Sequence, residues 1–494
     1  MTASRDAPSD PVGKTVQQYI DEVPVWPDGT ATTSTPLTPM QWRIWWLAAA
    51  GKFFEGLVVF MTGVALPLLA AQFSLGPAAH GIVGAASLLG ILIGATALGG
   101  LADRFGRKPM FIVEMAIFTG FLVAVTFSPN FPFLVCCLFG LGVALGCDYP
   151  TAHLIISESM PSNARGKFVL GAFGFQAIGA LFGAGIGFLI LYENPSIGAW
   201  RWMYATAIIP AVLVTLVRLT ITESAHWLVT RGKYPEAERE TLRLLKREPS
   251  YPQLVALDRA KELAESARAE NRSGYSELLS EKNRRATILT SVPWFLQDLG
   301  TYGIGIFTPT ILAAAVGHQK EHATSIADIV QNDMLAAQGA AVIDLLLIFG
   351  ILGAVLLVDR VGRIKLQVLG FLGCAIGLFL ASLSVDFADP AKLYFIFAGF
   401  MIFSFMTNLG PNAQTYLIAG EVFPTNIRGK GAGVAASFAK IGAVLTAFLF
   451  PILLADIGVR YLLYILVATS LIGAAVTWIY RIETTGVNLE EIGK

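Results

Sequence analysis

Gly99 to Lys108 reads G-G-L-A-D-R-F-G-R-K, and the centre of that stretch returns at Asp359 to Arg363 as D-R-V-G-R, an offset of 256 residues. A second stretch, E-S-M-P-S-N-A-R-G-K at Glu158 to Lys167, returns at Glu421 to Lys430 as E-V-F-P-T-N-I-R-G-K, an offset of 263. A third, I-T-E-S from Ile221, comes back in weaker form as I-E-T-T from Ile482. Near-constant offsets in short charged segments between apolar runs mark an internal duplication into two halves. The glycines give a tight turn, the prolines help end helices, and an acid beside the basic run can pair with the neighbouring loop and hold one face shut. Asp103, Arg104, Arg107, Glu158 and Arg165, with Asp359, Arg360, Arg363, Glu421 and Arg428, are therefore candidate gating residues.

The chain around these loops is apolar. Of 494 residues 54% are hydrophobic and 14% charged, against about 25% charged in a soluble domain; mean hydropathy is +0.62. With 35 basic and 35 acidic residues the net charge is zero, so no overall field attracts nucleic acid. The 49 glycines suit closely packed membrane helices. The four cysteines lie in apolar runs without metal-ligand spacing, and no P-loop or nucleophile elbow appears. An enzyme, a metal site and a cofactor are all disfavoured.

A spanning helix needs about 20 apolar residues. Twelve stretches qualify, near 44–71, 80–101, 109–128, 132–157, 168–192, 201–220, 287–314, 334–358, 366–385, 391–417, 431–455 and 461–480. They predict an all-α polytopic membrane protein with a tail (1–42), a six-helix bundle (43–220), a linker (221–286), a second six-helix bundle (287–482) and a short tail (483–494). The first tail is polar and rich in Pro, Ser and Thr, and reads as disordered. In the linker, 235–247 has one apolar face and reads as a short amphipathic helix. Basic residues concentrate in the loops after spans two, four, eight and ten, where Arg104, Arg107, Lys108, Arg165, Lys167, Arg360, Arg363, Lys365, Arg428 and Lys430 lie. The opposite loops hold Arg201, Lys320, Lys392 and Arg460. The positive-inside rule puts both termini and the linker in the cytoplasm.

Ionisable groups within spans are costly and mark function. They are Lys52, Glu55, Glu114, Asp148, His153, Asp298, Asp344 and Lys440. Trp294, Asp298 and Tyr302 stand at i, i+4 and i+8, one helical face, readable as a binding face or as aromatic packing. Pro150 in G-C-D-Y-P can bend span four and turn Asp148 and Tyr149 toward a cavity. Glu55 is either a proton site or an internal partner of Lys52. His153 reads better as a packing residue. Lys440 needs an acceptor, which Asp298 or a bound anion can supply. Asp344 has no sharp local motif. Asn408 and Asn412 flank the helix break at Gly410–Pro411.

Taken together, these motifs resemble the major facilitator superfamily over nearly the whole chain. G-G-L-A-D-R-F-G-R-K matches its loop motif, and I-T-E-S-A-H-W-L from Ile221 resembles the mark that ends the first half in its sugar-porter-like branches. G-C-D-Y-P, Gln176 in F-Q-A-I-G, W-F-L-Q-D-L-G-T-Y-G from Trp294, N-L-G-P-N from Asn408 and S-F-A-K-I-G-A from Ser437 resemble the phosphate:proton symporter branch. That resemblance implies substrate contacts from Tyr149, Gln176, Trp294, Asp298, Tyr302, Asn412 and Lys440, and a proton path through Glu55, Glu114 and Asp148. Departures are Glu55 where relatives carry aspartate, Val58 where many carry a second acid, and the added Lys52. The implied function is proton-coupled symport of a small anion, phosphate or an organic acid, by a monomer in the plasma membrane. A sugar or other neutral-metabolite transporter is the alternative, and a transporter-like nutrient receptor the alternative of another class.

Overall fold

The computed structural model describes residues 13–23, 36–98, 100–162, 164–246, 252, 254–262, 275–316, 326–424 and 427–484. Ten described helices are long and apolar enough to cross a membrane. One of them, Lys430–Ile479, holds two spans that meet at Gly458, whose φ of 75° breaks the helix. Arg284–Val316, not among the ten, supplies span seven; its interior carries the polar row from Gln297 to Thr301 that lowers its hydropathy. The total is twelve spans in two six-helix halves, the major facilitator architecture.

Spans one to six are Pro39–Phe73, Pro77–Ile93, Arg107–Thr126, Phe131–Ser159, Arg165–Glu193 and Ala199–Arg218. Spans eight and nine are Ile326–Val361 and Arg363–Ser382. Span ten is split into Ala391–Leu409 and Pro411–Glu421 at Gly410. Span two continues as one π-helical turn, Gly94–Leu98, an irregularity common beside functional sites. Span one starts earlier than expected because Thr38 and Gln41 form a capping box and Pro39 takes the first helical position.

The first tail is not wholly disordered. Val16–Asp21 is a helix capped by Thr15, with Val16, Tyr19 and Ile20 buried. Lys14 bridges to the linker, its N–H donating to the Ala256 carbonyl and its carbonyl accepting from Asp258 N–H. Asp21 accepts from the N–H and Oγ of Ser162, each at 2.7 Å, and Arg165 donates to Gln17 at 2.9 Å. Three apolar residues at helical spacing were hidden by the segment's polar average. The linker helix is present as Tyr234–Leu245, with Ala237, Thr241, Leu244 and Leu245 buried.

We call the face carrying this strap and the linker the tail face, and the opposite one the far face. Toward the far face the halves touch. A Cβ on Gly63 of span one would lie 2.2 Å from the Ile306 carbonyl of span seven, and one on Gly81 of span two 2.3 Å from the Phe448 carbonyl of span eleven. Only glycine permits such backbone approach.

Candidate functional site

Each half carries one clasp on the tail face. In the first, the Arg107 guanidinium forks onto Glu158 (3.0 and 3.2 Å) and reaches Asp103 at 2.8 Å. Glu223 accepts the N–H groups of Arg107 (3.1 Å), Lys108 (3.1 Å) and Ser224 (2.8 Å), and Ser224 Oγ donates to Glu158 at 2.5 Å. In the second, Arg363 forks onto Glu421 (3.2 and 3.4 Å), Glu483 accepts the Arg363 and Ile364 N–H groups, and Thr484 Oγ1 donates to Glu421 at 2.5 Å. Gly106 and Gly362, at φ 107° and 95°, make the turn that aims each arginine. The weakly matching I-T-E-S and I-E-T-T segments are thus equivalent parts of the same device.

Other gating candidates are placed differently. Arg104 is exposed, lying 5.3 Å from the Phe105 ring centroid. Arg360 is exposed, and Arg428 donates to the Phe423 carbonyl. The side chain of Asp359 lies outside the described residues.

Deeper in, between the halves, a cavity of about 100 Å³ is lined by Lys52, Tyr149 and Gln176 from the first half and Trp294, Asp298, Tyr302, Asn412 and Lys440 from the second. One water needs only about 15 Å³, so a small solute fits. All seven residues named as substrate contacts reach this cavity. Lys440 Nζ lies 2.6 Å from Tyr302 Oη, 3.2 Å from Glu55 Oε1 and 3.8 Å from Asp298 Oδ2. Lys440 thus pairs with Asp298, as expected, and more closely with Glu55, which the sequence did not place beside it. Glu55 sits just behind the lining, bonded also to Lys52 at 2.6 Å and to Tyr302 Oη at 3.2 Å. Asp298 Oδ2 is buried without a hydrogen-bond partner. Gln176 donates to Tyr302 Oη at 3.0 Å, and Asn412 donates to Asn408 at 2.7 Å. Lys52 Nζ stands 3.8 Å over the Tyr149 ring, a cation–π contact.

The two remaining carboxylates of the first half lie outside this cavity lining. Asp148 is bonded at 2.5 Å to Arg218, whose side chain is 0% exposed. Arg218 also donates to the carbonyls of Phe111 (2.6 Å) and Leu47 (3.2 Å) and lies on the Phe111 ring at 3.4 Å. It comes from the last position of span six and was not among the residues singled out in the sequence, although it stands in the apolar run L-V-R-L-T. Glu114 accepts from Thr151 Oγ1 at 2.9 Å and its Oε2 is buried without a partner.

His153, expected to pack, has an exposed side chain with its ring 6.4 Å from that of Tyr416. Tyr416 stacks on Phe173 at 4.7 Å. Asp344 is buried in span eight, and Asp333, absent from the sequence candidates because it precedes the apolar run, is 0% exposed with both carboxylate oxygens unpartnered.

Comparison with protein families matches residues 45–494 to the family described as Sugar (and other) transporter. The niacin transporter NiaP of Acinetobacter baylyi is 27% identical over 93% of this chain and 98% of its own length. The inner membrane metabolite transport protein YgcS of Escherichia coli is 28% identical, over 93% and 95%. Among solved structures, the xylose transporter XylE of E. coli, in a partially occluded inward open conformation, superposes with a TM-score of 0.71 at 20% identity, covering 91% of this chain and 99% of that one. At that identity the likeness establishes the fold.

Proposed function

Since the chain belongs to the sugar (and other) transporter family, and so is a multi-pass membrane transporter and not an enzyme, we propose that it carries a small anionic solute, phosphate or an organic acid, together with protons. The observation that carries this reading is the pair of ammonium groups, Lys52 and Lys440, at a cavity between the two halves. An anion can replace a carboxylate as the partner of Lys440, and a proton taken by an acid offsets the charge the anion brings. Tyr149, Gln176, Trp294, Asp298, Tyr302, Asn412 and Lys440 contact the solute; Glu55, Glu114 and Asp148 belong to the proton path. Transport proceeds by alternating access, the halves 43–220 and 287–482 rocking about the cavity. With both termini and the linker 221–286 in the cytoplasm of a plasma-membrane monomer, the far-face seal makes this conformation inward-facing. The clasps, with Asp103, Arg104, Arg165, Asp359, Arg360 and Arg428 around them, then set the rate of that exchange.

A neutral sugar is the second reading, favoured by the amide groups of Gln176, Asn408 and Asn412, which line a smaller pocket that shares Gln176 and Asn412 with the cavity. Counterflow in proteoliposomes separates the two. Labelled phosphate or organic acid is expected to exchange and to accumulate when the outside is acidified. Exchange of xylose without any anion exchange would overturn the anion reading.

A further inference from the structure

Span eight carries two acids outside the cavity lining. Asp333, Ala337, Ala340, Asp344, Leu347 and Ile351 recur at helical spacing and are all buried, so they form one stripe of this helix. Packing fixes where the stripe points. A Cβ on Gly174 of span five would lie 3.3 Å from Ile351 Cγ1, so Ile351 faces the other half. Asp333 precedes Ile351 by 18 residues, which is five full turns, and so stands on the same face about 27 Å nearer the far face. That is the side on which the halves touch, Gly63 against Ile306 and Gly81 against Phe448. Asp333 is 0% exposed there, and neither of its carboxylate oxygens has a hydrogen-bond partner.

The surroundings decide what this acid can hold. Span eight packs against spans one, five, seven, nine and ten. Toward the far face, spans one and seven carry no titratable residue from Leu57 to Phe73 and from Gly303 to Val316. Span five ends in Tyr192 and Glu193, both exposed, and span ten begins with Lys392 and the exposed Tyr394. Asp386, beyond span nine, is paired with Arg460. On span eight itself, Asp328 lies in the first turn and Asp344 lies deeper on the stripe. Among the described residues none donates to Asp333. A metal ion calls for about six oxygens, and the residues one turn away, Ile329, Val330, Ala336 and Ala337, offer no side-chain oxygen. A carboxylate sealed without donors is costly to keep charged, so the cation that fits is a proton.

We propose that Asp333 is a proton site of the far-face seal: the halves close over it only when it carries a proton taken from the far side. The acid meets far-side water when the halves part there and is cut off from both faces once they close. Its proton therefore returns to the far side on reopening, and acid on that side drives the gate without this proton crossing the membrane. The site serves an anion or a sugar alike and is separate from the path through Glu55, Glu114 and Asp148.

The test places spin labels on Ala78→Cys and Ala455→Cys, exposed positions at the far ends of spans two and eleven, in the full chain with its four native cysteines replaced. Pulsed dipolar spectroscopy in nanodiscs, without added solute, then reads the sealed and open populations against pH. The ratio of sealed to open is expected to fall by up to about tenfold per pH unit above about pH 4, where an exposed aspartate is ionised. Asp333→Asn should stay sealed where the parent opens, and Asp344→Asn should keep the parent profile. A parent profile flat with pH overturns the inference, and needs no acid variant to fold. Opening of Asp333→Asn with the parent's slope overturns it as well, and loss of the slope in Asp344→Asn moves the site to that residue.

Discussion

The tail-face clasps and the membrane interior were built by the same duplication, yet they have diverged unequally. Arg107, Glu158, Glu223 and Ser224 have counterparts in Arg363, Glu421, Glu483 and Thr484, group for group and bond for bond. The interior charges have no such counterparts. The first half keeps Arg218 locked on Asp148, whereas the second presents Lys440 to an acid borrowed across the interface, Glu55. A loop that must work the same way in both halves stays symmetric. A site that binds one asymmetric solute does not. The Arg218–Asp148 pair lies within one half, while the Lys440–Glu55 pair spans two, so the first should matter for folding and the second for ligand.

The largest expected effect comes from Arg218→Ala. It strands Asp148 as a buried unpaired charge, a loss of about 3–5 kcal/mol of stability. Thermal unfolding in detergent checks it, and Arg218→Met combined with Asp148→Asn should recover most of the loss because no unpaired charge remains. If the single and double variants melt together, the pair is not structural.

Lys440→Ala should act in the opposite sense. Glu55 keeps Lys52 at 2.6 Å, so stability falls less than in Arg218→Ala, while affinity for an anionic solute drops by about 2–5 kcal/mol. Adding Asp298→Asn should restore stability without restoring binding. A Lys440→Ala protein that binds its anion normally would break the contrast between the two pairs.

The clasps were legible because their residues recur at fixed offsets within short segments, and glycine, proline and charge together leave few readings. Trp294, Asp298 and Tyr302 were legible for a related reason: a single helix sets their spacing. What the sequence hid is long-range. Nothing local places Arg218 beside Asp148, 70 residues away, or Lys440 beside Glu55, 385 residues away. The strap Val16–Asp21 escaped because six helical residues barely alter the average of a polar segment. Its hold on Ser162 and on the linker becomes visible only once the chain is folded.

Breaking one clasp at a time tests the symmetry itself. Arg107→Ala removes bonds to Glu158 and Asp103 and to the Ala102 carbonyl; Arg363→Ala removes bonds to Glu421 and to the Val358 carbonyl. Each charge-assisted bond contributes about 1.5–3 kcal/mol, so both variants should slow counterflow while ligand affinity, set in the cavity, changes little. The two losses should be of similar size if the clasps are equivalent. Equal losses of affinity and rate would assign the clasps to binding instead.

The smallest effect isolates one carboxylate of the first clasp. Burial raises the Glu223 pKa above its ordinary 4.5, partly offset by the N–H groups of Ser224, Lys108 and Arg107 and by the Arg107 charge. A raised pKa means that the folded protein holds this proton more tightly than the unfolded chain. The stabilising contribution is then complete below the unfolded value near 4.5 and is lost as pH rises through the raised folded value. Glu223→Gln keeps an oxygen able to accept the three N–H bonds but cannot ionise, so it should flatten this part of the melting-temperature profile. An unchanged profile would remove Glu223 as its source. A flatter one would assign that part of the pH dependence of stability to the Glu223 carboxyl.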